Sequence, residues 1–165
     1  MNLPKNVNLV QVITEISWIR SDFVSINTGN DKFHKILTRY KGNDFSSIYF
    51  AIGSAKFQQQ DLFPEAGFIF DQELKITVPG EDHSTLEQID TFRLFPLLLK
   101  ITFNNTLWGD HSVMTKIMGS PSVPARYLGM QQIGSKVSSD ELTFSCKAQE
   151  PVFWLQSEGV IPNPN

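Results

Sequence analysis

One phrase is written twice in this chain. Leu74-Lys75-Ile76-Thr77-Val78 leads to Asp82-His83-Ser84, and Leu99-Lys100-Ile101-Thr102-Phe103 leads to Asp110-His111-Ser112. Each copy is a run of strand character, apolar and β-branched, closed by a polar turn. In the first copy Leu74, Ile76 and Val78 fall on one face, the period of a strand with one covered side. The second belongs to Leu97 to Phe103, whose apolar side chains point both ways, which predicts a central strand or two covered faces. A chain with two such strands must bury them in a sheet, so the phrase points first to a β protein.

The same segments hold two of the three histidines, and chemistry is sought there first. Asp-His-Ser in a row is not a catalytic triad, because triad members must converge in space while consecutive residues point in alternating directions. Two such turns side by side would gather two histidines and two aspartates, a set suited to a divalent metal, and that defines a reading as a metal-dependent enzyme using His83 and His111. No nucleophile, phosphate cradle or second ligand set accompanies them. Ala51-Ile52-Gly53-Ser54-Ala55-Lys56 lacks the second glycine and the Gly-Lys-Ser/Thr ending of a phosphate-binding loop. The carboxylate pairs Glu81-Asp82 and Asp140-Glu141 sit in turn contexts, where acids are solvated. The better reading of the doubled phrase is architectural: two similar strands with polar turns, whose histidines are contacts and not catalysts. The chain is therefore expected to be no enzyme and to hold no cofactor.

Totals narrow the class further. With 165 residues the chain fits one domain, read as 1–160 with an extended N-terminal segment, followed by a flexible tail over 161–165. Charged residues make up 19 %, below the average of about 25 % for globular proteins. Phenylalanine is over-used, with 13 copies against 3 tyrosines and 3 tryptophans, so the chain has a well-filled core or leaves apolar surface for a partner. Net charge is −3 with no cluster of either sign, which argues against nucleic-acid binding. The single cysteine, Cys146, excludes an internal disulfide and reads as a small buried side chain. Met1 to Arg20 lacks the pattern of a secretory signal, and Leu97-Leu98-Leu99 is too short to span a bilayer, so the protein is expected in the cytosol, neither secreted nor in a membrane.

Along the chain, Val10, Val12, Thr14, Ile16 and Trp18 alternate as a first strand, although Leu9, Val12, Ile13 and Ile16 also fit helical spacing. Asn27 to Lys32 reads as a turn. Strands are expected at Phe33–Tyr40, Phe45–Ile52, Phe68–Val78, Leu97–Phe103, Val113–Met118, Arg126–Ile133, Glu141–Lys147 and Val152–Leu155. Thr85 to Phe95 is the one helix (about 85–95), with Leu86, Ile89 and Phe92 at helical spacing, Ser84 as its cap and Pro96 as its stop. The fold class is mainly β: an antiparallel sandwich or barrel with one short helix. Trp108 follows a polar turn, and the adjacent Phe153 and Trp154 must face opposite ways. These aromatics, with His83 and His111, are the candidate subunit contacts.

Asn104-Asn105 turning into Leu107-Trp108-Gly109, Ile117-Met118-Gly119-Ser120-Pro121, and Gly134 to Asp140 running into Leu142-Thr143-Phe144-Ser145 give residues 66 to 155 a familiar cadence. The stretch resembles the small β-sandwich structural proteins of tailed bacteriophages: tail tube, tail-terminator and neck-ring subunits. The resemblance implies a non-enzymatic virion subunit, made in the host cytoplasm, that joins copies of itself and neighbouring virion proteins into a ring or tube by adding strands to each other's sheets. A small cytosolic binding or immunity protein is the alternative from another class.

Overall fold

The computed structural model describes residues 11–31, 33–63, 67, 69–79, 83–105, 112–133 and 139–163. In chain order these form β1 (Gln11–Arg20), a 3-10 turn (Ser21–Phe23), β2 (Val24–Thr28), β3 (His34–Tyr40), β4 (Ser46–Ser47), β5 (Lys56–Leu62) and β6 (Ile69–Pro79). Then come α1 (His83–Leu94), β7 (Leu97–Asn105), β8 (Ser112–Met118), β9 (Arg126–Ile133), β10 (Ser139–Ala148) and β11 (Phe153–Ile161). The chain is mainly β, as expected, with one α-helix among the described residues. No described helix is long and apolar enough to cross a membrane.

Two sheets make a sandwich. A seven-stranded sheet runs β2-β3-β11-β8-β7-β1-β4, and a four-stranded sheet runs β5-β6-β10-β9. The doubled phrase supplies one strand to each, β6 in the smaller sheet and β7 in the larger. Leu74, Ile76 and Val78 from one, and Leu99, Ile101 and Phe103 from the other, enter the same core cluster with Ile16, Leu142 and Phe144. The repeat is thus two walls of one core, and in the first copy His83 and Ser84 open α1 instead of lying in a turn. Every pairing is antiparallel except β3 with β11, which is parallel.

The larger sheet cannot be flat. In its order β2 stands first and β1 sixth, yet only Ser21–Phe23 separates them in the chain. Laid flat they would lie about 24 Å apart, while the link from Arg20 to Val24 reaches about 14 Å at most. The sheet therefore curls toward a barrel with an interior of its own. Ile19, Val24, Leu37, Leu98, Ile117 and Phe153 fill that interior as a second cluster. This is why Leu97, Leu98 and Leu99 are all fully buried: β7 is covered on both faces, as its apolar run predicts. The two sheets are tied at one corner by Leu97 and Ala125, whose backbones exchange hydrogen bonds of 2.8 and 3.0 Å.

Several local expectations shift. In β1 the register slips between Ile13 and Glu15, leaving Thr14 as a bulge, so Ile13 and Ile16 share the core side. That bulge produces the helix-like spacing seen in the sequence. In Phe45–Ile52 the alternation holds over Ile48, Tyr49 and Phe50, buried, exposed and buried in turn, and is lost by Ile52, which is exposed. Only Ser46–Ser47 is strand, because the backbone then crosses between sheets: Ile48 N–H donates to Ile16 and Ala51 N–H to Thr77. On α1 the buried stripe is Thr85, Ile89 and Phe92, while Leu86 is exposed, lying about 100° round the axis from Thr85. The helix stops two residues before Pro96, as that residue requires. Ser84's side chain lies outside the described residues.

Candidate functional site

Trp108 and His111 lie outside the described residues, as does the side chain of His83, whose backbone opens α1. Phe153 is buried in the second core cluster. Trp154 points to the opposite side of β11, where the Lys116 ammonium stands 4.3 Å from its ring centre. Of the two neighbouring aromatics, then, Phe153 is buried and Trp154 is only partly covered. The third histidine, His34 on β3, is half-exposed and pairs with Asp31 at 2.9 Å. The hydrogen bond from His34, with the Phe33 N–H, holds the Asp31 carboxyl below its ordinary range. Among the described residues no three His, Cys, Asp or Glu side chains gather as a metal would require.

An open cleft of about 880 Å³ separates the β2–β3 flank of the curled sheet from the Ser120–Val123 loop and the end of β10. Its walls mix Val24, Ile26 and Ile69 with Ser25, Tyr40 and Lys147. A smaller recess of about 40 Å³ continues inward to Gln72, Cys146 and Phe153. Lys35 spans both, pairing with the Glu150 carboxylate and standing 5.1 Å from the Phe153 ring centre. Gln72 donates through Nε2 to the Glu150 carbonyl at 3.3 Å, while its buried Oε1 receives no hydrogen bond. Gln72 is not singled out from the sequence, where its place in the alternation Phe70, Gln72, Leu74 is the signal that a polar side chain on the core face needs partners.

Cys146 lies at the bottom of that recess, and its Sγ donates to the Val123 carbonyl at 3.4 Å. Burial, helped by the Asp71 carboxylate, pushes the thiol from its ordinary 9.0 up to about 11. It remains protonated near neutral pH and is no nucleophile. Below pH 9 folded and unfolded chains both hold this proton, so the stabilisation is complete. As pH rises from 9.0 to about 11 the unfolded chain releases it first, and stability falls. The loss is on the order of 2 kcal/mol. Urea unfolding at pH 8 and pH 11 should show that the Cys146→Ala variant lacks this part of the alkaline loss.

The smaller sheet presents two outer edges on opposite sides. β5 pairs with β6 in unbroken register from Lys56↔Lys75 to Leu62↔Ile69. Most of its residues are exposed and polar, including Gln58, Gln59 and Gln60, so no apolar period marks it as a strand in the sequence. β9 pairs with β10 through a shift that leaves Leu128 as an extra, exposed residue. No further strand among the described residues pairs with the outer side of either. Such edges are templates for another chain.

Each strand of this sheet is antiparallel to its neighbour. With four strands, β5 and β9 therefore run in opposite directions. When one copy follows another head to tail without inversion, β9 of one meets β5 of the next antiparallel, and the alternation continues across the junction. No protein family, curated protein or solved structure matches this chain.

Proposed function

We propose that this protein is a non-catalytic structural subunit that joins copies of itself head to tail into a ring or tube. Its setting would be the tail or neck of a phage particle or a related injection device, assembled in the host cytoplasm. The observation that carries this reading is the four-stranded sheet with two long edges on opposite sides and of opposite direction. Two different surfaces meet in such a junction, so repetition builds a ring or a helical tube instead of stopping at a symmetric dimer. The sequence resemblance of residues 66–155 supports the same conclusion. Partners are further copies of the chain and neighbouring virion proteins.

A pair of edge-blocked variants tests it. Alternate N–H groups of an edge strand point outward, so a proline at either Gln60 or Asp61 removes an outward donor and spares the β5–β6 ladder. The variant of the two that keeps the wild-type melting temperature is the β5 block. Leu128→Glu, at an exposed position, places a charge on the β9 edge. Light scattering should find wild-type oligomers larger than a dimer. Each variant alone should be monomeric, its self-association weakened about tenfold or more. Mixed together they should form dimers through the one intact pair of edges. Monomeric wild type at high concentration would overturn the proposal.

A further inference from the structure

At the other end of the sandwich lies a recess of about 390 Å³ lined by Ile13, Ala55, Lys56, Phe57, Gln58, Phe103 and Lys116. Lys116 projects from β8 on the side of Met118, into the space between the sheets. Its ammonium stands 4.3 Å from the Trp154 ring centre and 5.4 Å from that of Phe103. Among the described residues it has no carboxylate partner and no hydrogen bond, whereas Lys35, Lys75 and Lys100 each have an acid. Ring faces soften the loss of water around a cation but leave it without a counter-charge. Loss of solvent lowers the affinity of Lys116 for its proton, as expected of a lysine held this way.

The rest of the lining is complementary. Lys56 adds a second cation at the rim, no acid lines the recess among the described residues, and Phe57, backed by the buried Ile13 and Phe103, supplies its apolar side. The Phe57 and Phe103 rings meet edge to face at 6.4 Å, which fixes that side. Cations and apolar side chains share the lining, which suits a ligand that carries a counterpart to each. A bare inorganic anion would satisfy the cations and leave the apolar side unused. A neutral apolar molecule would do the reverse.

We propose that this recess binds a small organic carboxylate with an apolar body, its carboxylate on the Lys116 ammonium and its hydrocarbon against Phe57, backed by Ile13 and Phe103. Lys56, Phe57 and Gln58 belong to β5, so the recess adjoins an edge used in the assembly reading, and repeating the titrations on the monomeric Leu128→Glu variant separates the two. Hexanoate, hexanol, hexylammonium and inorganic phosphate are the probes, titrated into the full chain and followed by NMR shifts of Ile13, Phe57 and Phe103. Hexanoate should bind at least about tenfold tighter than each of the others. Lys116→Met keeps the length and bulk of the stem, and a melting curve confirms that it folds. It should bind hexanoate no better than hexanol, and Lys56→Gln should weaken hexanoate severalfold. Equal binding of hexanoate and hexanol by the wild type would overturn the proposal. So would hexanoate binding unchanged in Lys116→Met, phosphate binding as tight as hexanoate, or no shifts at these residues.

Discussion

Phe144→Ala is expected to remove about 4 kcal/mol of stability. Phe144 is fully buried on β10, between β6 and β9 in the smaller sheet. Its ring lies 5.3 Å from that of Phe92 on α1 and 5.6 Å from that of Tyr127 on β9. One deletion therefore opens a cavity where helix and sheet meet and removes two aromatic contacts, so neighbouring side chains cannot simply close the gap. The melting temperature should fall by about 10 °C. Phe144→Leu, which keeps most of the volume, should cost under about 1.5 kcal/mol. Chemical denaturation of both variants checks the pair, and a loss below about 2 kcal/mol for alanine would show that Phe144 is not central.

Gly119→Ala should cost about 3 kcal/mol. Gly119 has φ +94°, in the left-handed region that glycine occupies freely. A methyl there would also meet Ala125 N at 2.7 Å and Leu97 O at 3.1 Å. These two atoms hydrogen-bond to each other at 2.8 Å in the corner that joins the sheets. The methyl would thus wedge that corner apart. Gly42 provides the control, because it has φ +89° and open space around it. Gly42→Ala should cost about 1 kcal/mol from the backbone alone, so the difference between the two variants isolates the clash. Equal losses would mean that the corner yields without cost.

The strands most legible in the sequence are those that bury the most. β6 and β7 announced themselves through Leu74 to Val78 and Leu97 to Phe103, because burial imposes period or continuous apolarity on the residues themselves. β5 was illegible for the opposite reason: an edge strand exposed to water needs no apolar face, and Lys56-Phe57-Gln58-Gln59-Gln60 has none. β1 was ambiguous because a bulge at Thr14 resets the alternation, and one residue of slip imitates a helical interval. Pairing partners are less readable than strands. Nothing local in Phe33–Tyr40 marks it as the parallel neighbour of Phe153–Ile161, a choice settled by the curl of the whole sheet. At the lysine recess, Lys116 occupies an alternating position in Met114-Thr115-Lys116-Ile117-Met118, which hints at an inward charge. Its aromatic neighbours come from distant strands and leave no trace in that window.

β11 is last in chain order yet sits inside the larger sheet, between β3 and β8, and β2 and β3 reach the rest of that sheet through it. His34 must therefore wait for Trp154 before its strand acquires a second neighbour. At ribosomal speeds that interval is on the order of ten seconds. Throughout it the β2–β3 hairpin offers an unsatisfied edge and the apolar side chains of Val24 and Leu37. Ladder formation between such remote segments is also slow once synthesis is complete. The yield of this protein in a cell is thus set by what shields that hairpin during elongation, as well as by the depth of the final energy minimum.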